Sequence, residues 1–212
     1  MSGAHRDHPL GLPVIVLAAG HGTRMGGPKA FARYGGQSFL ERILARCAES
    51  NADVTITVDP AFKPRVLDLL KARPVPRPHL HLRWVEADGR LPMLASVQAA
   101  LAAGGFGRGF WMWPVDAPFV SAEGWRLLNR DVAENDTQVA KPVAGGKSGH
   151  PVWFPAWAAP RIAQGRWPDG LQGFLSEIGP SAMRRIELPG ERLNDVDTPE
   201  ELAAMSAPPS PA

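Results

Sequence analysis

Val14-Ile-Val-Leu-Ala-Ala-Gly-His-Gly-Thr-Arg-Met-Gly-Gly-Pro-Lys29 is a short apolar run that passes into a glycine-rich loop ending in a cation. The run from Val14 to Leu17, bounded by Pro13 and Gly20, suits a strand buried on both faces. Glycines at 20, 22, 26 and 27 let backbone N–H groups turn toward one ligand without Cβ obstruction, which is the making of an anion-binding nest. Arg24 and Lys29 add the two cations a triphosphate needs, one a planar fork and the other a movable point charge. Two commoner loops fail on spacing. A Walker A loop needs Gly and Lys adjacent and then a hydroxyl, but here Pro28 separates Gly27 from Lys29 and Ala30 follows. In a dinucleotide fingerprint, Gly20, Gly22 and Gly26 would have one residue too many, and the acid about twenty residues on, Glu41, falls on a helix.

Outward from the loop, strand and helix patterns alternate. Ser38 stands three residues before Glu41, the spacing of a capping box, and Phe39, Leu40, Ile43, Leu44 and Cys47 follow at helical intervals. Val54–Val58 reads as a strand, Phe62–Ala72 as a helix, and Leu80, Leu82 and Trp84 as the apolar face of another strand. Leu94–Ala103 is helical, Phe110–Pro114 a buried strand, and Ser121 caps a helix reaching about Ala133. Gln138–Val143 and Pro151–Phe154 are strands flanking a turn at Gly145 and Gly146, and 155–179 holds short helices with loops. Met183–Leu188 is a late strand, after which Thr198, Pro199 and Glu201 start a last helix. This alternation predicts an α/β chain, a three-layer α/β/α sandwich around a mostly parallel sheet. Residues 1–13 are expected to be a flexible segment, 14–206 a single domain, and 207–212 a disordered tail.

Composition restricts the function classes. The 212 residues are 44% hydrophobic and 21% charged, with a formal net charge of +2 and no clustered basic run, so neither nucleic acid nor membrane binding is expected. The single cysteine, Cys47, permits no disulfide within the chain, which fits a reducing cytoplasm, and residues 1–13 carry no apolar signal region.

Two acidic stretches supply candidate metal ligands. Joining phosphates brings negative groups together, and Mg²⁺ takes one or two carboxylates with phosphate oxygens and water. Asp116, in Pro-Val-Asp-Ala-Pro just past an apolar strand, sits where open α/β sheets bind ligands. From the residues alone, a turn aspartate capping local amides is an equal reading. Asp195 and Asp197 flank Val196 ahead of the last helix, where an acid also complements the helix dipole.

The Leu-Ala-Ala-Gly start and the Arg-Met-Gly-x-Pro-Lys continuation resemble the signature of the MobA/MocA-like nucleotidyltransferases, most of all the molybdenum cofactor cytidylyltransferase branch, and the likeness runs from Val14 to about Met205. The resemblance implies the Rossmann-like sheet of the nucleotide-diphospho-sugar transferase type. It also implies transfer of a nucleoside monophosphate from a triphosphate to a phosphorylated acceptor such as molybdopterin, with release of pyrophosphate. Leu17, Ala18, Ala19, Gly20, Gly22, Thr23, Arg24 and Lys29 would hold the nucleotide, and Ser96 its base or ribose. Arg24, Lys29 and Asp116 would be catalytic, and Mg²⁺ would sit on Asp116 and on Asp197 in preference to Asp195. Leu-Ala-Ala-Gly is similar to the CTP-using members, whereas the guanylyltransferases show Leu-Ala-Gly-Gly, so CTP is expected over GTP. The family context implies transient contact with a molybdoenzyme or its chaperone.

On the acceptor side, His150, Asp169 and Asp195 are the candidates. Lys141 and Lys147 would either face an anionic acceptor or stand solvated on a hairpin. Tryptophans 153, 157 and 167 would suit stacking, although core packing is the usual use of this residue. Two stretches depart from the molybdopterin branch. Pro92 stands where that branch has a flexible Gly-rich segment, and Pro168–Gly173 lacks the terminal arginine of Gly-Asp-x-Gly-Ala-Arg. A sugar- or polyol-phosphate acceptor, and a silent nucleotide-binding regulatory module, are therefore the alternatives.

Overall fold

The computed structural model describes residues 11–72 and 80–206. The expected tail, 207–212, lies outside the described residues, as does 1–10 of the expected flexible segment. Of the remainder of that segment, Leu12 packs against the core and Pro13 opens the first strand.

In chain order the elements are β1 (Pro13–Leu17), β2 (Arg33–Tyr34), β3 (Gln37–Ser38), α1 (Phe39–Glu49), β4 (Asp53–Val58), α2 (Lys63–Ala72), β5 (His81–Glu86) and α3 (Met93–Ala102). The second half carries β6 (Phe110–Pro114), α4 (Ala122–Glu134), β7 (Val139–Ala144), β8 (Lys147–Ser148), β9 (Val152–Phe154), α5 (Ala158–Gln164), α6 (Gly170–Ile178), β10 (Met183–Glu187) and α7 (Pro199–Ser206). The main sheet runs β10-β7-β9-β6-β1-β4-β5, with β8 paired to β7. All neighbours are parallel except β9, which runs antiparallel between β6 and β7, and the β7–β8 hairpin.

β1 is central, and alternation along it sorts its residues between two cores. Val14 and Val16 face a core built with α1, α2 and α4, while Ile15 and Leu17 face one built with α3, α5 and α6. The three expected layers are thus present. None of the helices among the described residues is long and apolar enough to cross a membrane.

The helix starts follow the sequence signals. Ser38 Oγ accepts from the Glu41 amide at 3.1 Å, and the Glu41 carboxylate accepts from the Ser38 amide at 2.6 Å. Ser121 Oγ accepts from the Gly124 amide, and Thr198 Oγ1 from the Glu201 amide. Trp111, Trp113, Trp125 and Trp153 are fully buried in the core, so stacking on an acceptor is not how Trp153 is used. Cys47 is buried in the same core as a free thiol, which burial pushes up from its ordinary pKa.

Candidate active site

The carboxyl ends of β1, β4 and β6 bring the loop after β1, Asp59 and Asp116 to one edge of the sheet. Within the loop, Met25 and Gly27 donate back to the Gly22 carbonyl and Gly26 donates to Thr23. A Cβ on Gly22 would lie 2.1 Å from the Gly27 carbonyl oxygen, and the residue has φ +59°, so no side chain fits there. The amides of Gly26 and Gly27 close the loop on itself. Of the amides around the four glycines, those of Gly20, His21 and Gly22 take no part in these internal bonds, so only the earlier half of the loop has amides left to form the expected nest.

Lys29 crosses this edge. Its Nζ donates to Asp116 Oδ2 at 2.9 Å and to Asp197 Oδ1, while Arg24 Nη2 lies 3.1 Å from Asp197 Oδ2. The Val196 amide donates to the Asp116 carbonyl at 2.9 Å, which ties the segment before α7 to the turn after β6 and sets the two acids side by side. Burial alone would lower the Lys29 pKa, but the hydrogen bonds and charges of Asp197 and Asp116 outweigh it and the net shift is upward. The Lys29 hydrogen bond, helped by Arg24, holds the Asp197 carboxyl below the usual carboxylate range. Asp195, by contrast, is exposed and lines a different cavity.

The acid pair suits a divalent cation by its geometry. Two carboxylates from distant parts of the chain converge on one cationic centre, the Lys29 ammonium. Among the described residues no group of three or more His, Cys, Asp or Glu side chains is arranged to hold a metal, so an ion on this pair would take its other ligands from phosphate and water.

Two cavities open here. One, of about 310 Å³, is lined by Leu17, Ala19, Gly20, Gly22, Thr23, Arg24, Lys29, Ser96 and Asp116, together with Gly89, Leu91 and Met93. Ala18, expected among the nucleotide contacts, is outside this lining; its side chain packs into the core and its amide donates to Thr57. The second, of about 670 Å³, brings together His150, Asp169 and Asp195 with Lys141, Lys147 and an apolar wall that includes Met112, Val152, Phe154 and Leu175. Met93 lines both cavities, and no tryptophan lines the larger.

Sequence reasoning missed one group. Asp59, just past β4, accepts from His21 Nε2 at 2.9 Å and from the Gly89 and Ala61 amides at 3.0 and 2.9 Å. The His21 bond first, then those amides, depress its pKa. Asp59 so pins the loops after β1, β4 and β5 to one another. The available signal was positional: Asp59 follows a buried strand directly, much as Asp116 does.

The profile of the MobA-like NTP transferase domain matches residues 14–182. Molybdenum cofactor guanylyltransferase from Rhizobium leguminosarum bv. trifolii (strain WSM2304) is 31% identical over 147 residues, 68% of this chain and 61% of that protein. The Bacillus cereus (strain Q1) protein named "Probable molybdenum cofactor guanylyltransferase" is 30% identical over 133 residues, covering 63% of this chain and 62% of its own length. The chain thus spans less than two thirds of either relative. The crystal structure of Rv0371c from Mycobacterium tuberculosis H37Rv shares the fold, with a TM-score of 0.71 at 23% identity over 92% of this chain and 98% of that one.

Proposed function

This chain belongs to the MobA-like NTP transferase family, and from that premise we propose that it transfers a nucleoside monophosphate from a nucleoside triphosphate to a phosphorylated acceptor. The observation that carries the reading is the meeting of Lys29, Arg24, Asp116 and Asp197 at one point beside the glycine loop. A site that only bound phosphate would need the cations and amides, and would gain nothing from two acids among them.

In this reading the smaller cavity takes the triphosphate. The early-loop amides and Arg24 hold its oxygens, and Lys29 leaves the acid pair to bind phosphate. Asp116 and Asp197, freed of the ammonium, would hold Mg²⁺, which neutralises charge on the phosphates. An oxygen of the acceptor phosphate attacks the α-phosphorus, a new P–O bond forms, and the bond to the bridging oxygen breaks to release pyrophosphate. The chain's part is positioning and charge compensation, with no covalent intermediate on a side chain.

CTP is the donor favoured by Leu-Ala-Ala-Gly, through its likeness to the CTP-using members. GTP is the second reading, favoured by the names of the guanylyltransferase relatives. Those names also point to a molybdopterin-type acceptor. The test is pyrophosphate release with each triphosphate and Mg²⁺, offered molybdopterin or a panel of sugar and polyol phosphates. Release with one donor and one acceptor class assigns both; tight nucleotide binding with no release from any pairing would leave a silent binding module.

A further inference from the structure

The 670 Å³ cavity holds two polar groups whose needs the protein does not meet. Lys141 lies near the middle of β7, half-buried, and no carboxylate among the described residues pairs with it. Burial lowers its pKa. A partly desolvated ammonium without a counter-ion is costly, and the cost is relieved when a ligand brings the opposite charge. His150 stands at the entry to β9 in the same wall. Its Nδ1 is shut off from solvent and has no hydrogen-bond partner. The torsion that orients an imidazole is soft, and a half-turn exchanges Nδ1 with Cδ2, so a ligand in the cavity can be met by that nitrogen. His150 and Lys141 line the same cavity.

We propose that Lys141 and His150 form the subsite for the acceptor's phosphomonoester within the larger cavity. This rests on the transferase reading above and adds to it the residues that would select the acceptor. Lys141 supplies charge, His150 one directed hydrogen bond, and the apolar wall at Met112, Val152 and Phe154 takes the body of the molecule. That wall fits a phosphomonoester carried on a partly apolar framework.

Lysine acylation of the full chain, read by mass spectrometry at each site, tests this directly. Phenyl phosphate is expected to slow acylation of Lys141 several-fold, whereas phenol should not, and exposed Lys71 on α2, outside the cavity, should react as before. In the His150→Asn variant, about tenfold more phenyl phosphate should be needed for the same protection, as for loss of one charge-assisted hydrogen bond. Unchanged Lys141 reactivity in the wild-type chain overturns the proposal, as does equal protection by phenol. Pyrophosphate protecting Lys141 at lower concentration than phenyl phosphate would assign the pair to the leaving group and overturn it too. The same spectra report Lys29. If a non-hydrolysable nucleotide with Mg²⁺ fails to protect Lys29, the transferase reading falls, and the Lys141 result stands on its own.

Discussion

Replacing Lys29 with methionine should make the metal-free protein markedly less stable and the metal-loaded protein nearly normal. The ammonium is 2.9 Å from Asp116 Oδ2 and also bonded to Asp197, with side-chain exposures of 13% for the lysine and 27% and 29% for the acids. At an effective dielectric of ~20 one such contact is worth about 6 kcal/mol of Coulomb attraction. Most of that is consumed by desolvation of the charges, leaving roughly 1.5–3 kcal/mol for a charge-assisted hydrogen bond. The variant also leaves two carboxylates facing each other, so a loss of about 2–4 kcal/mol is expected. For a domain of this size that lowers Tm by roughly 5–15 °C in the presence of a chelator. Methionine fills a similar volume, so packing contributes little to the change. A divalent ion then restores the missing charge, and the difference between variant and wild type should shrink to a few degrees with millimolar Mg²⁺ or Mn²⁺. Differential scanning calorimetry with and without metal measures both quantities. Equal Tm values in chelator, or a gap that metal leaves untouched, would refute the idea that the acid pair is a cation site held by the lysine.

Three further outcomes are expected. Asp116→Asn and Asp197→Asn should each reduce pyrophosphate release by a factor of roughly 10² or more, while Asp195→Asn affects nucleotide turnover little; comparable losses at 195 and 197 would contradict the placement of the acids. Gly89→Ala would put a Cβ 1.9 Å from the Ala19 carbonyl oxygen and 2.7 Å from His21 Cδ2, so the loop after β5 must move, and KM for the nucleotide should rise well before kcat falls. Burial lowers the His150 pKa from its ordinary 6.5, with Lys141 adding to this and Asp116 and Asp195 opposing it. The unfolded chain therefore takes the proton first, and stability is lost as pH falls below that value, by at most about 1.4 kcal/mol per pH unit. Urea unfolding of His150→Asn should show a shallower acid-side decline than wild type.

Element boundaries were legible where a side chain reports on its own backbone. Ser38 with Glu41, Ser121, and Thr198 with Glu201 each declare a helix start through a bond three residues long. The order of strands was not, because periodicity along β9 says that it is a strand and says nothing about insertion between β6 and β7 in the opposite direction. The same limit applies to the site. The loop from Leu17 to Lys29 is contiguous and could be read directly, and Asp116 follows its strand. The separation of Asp197 from Asp195 depends on the Val196 amide reaching the Asp116 carbonyl, a contact between segments far apart in sequence. Asp59 was missed for a similar reason, since its partners His21 and Gly89 come from two other loops.

That Val196 contact also bears on when the protein becomes competent during synthesis. The nucleotide loop, Lys29 and Asp116 all leave the ribosome before the segment carrying Asp197. At ~5–20 residues per second this last acid trails Asp116 by several seconds. A nascent chain can fold its central strands and expose the glycine loop in that interval, yet it lacks half of the acid pair. In the transferase reading the site is complete only once the segment after β10 has docked on the turn after β6, so the late segment acts as a check that the sheet is complete.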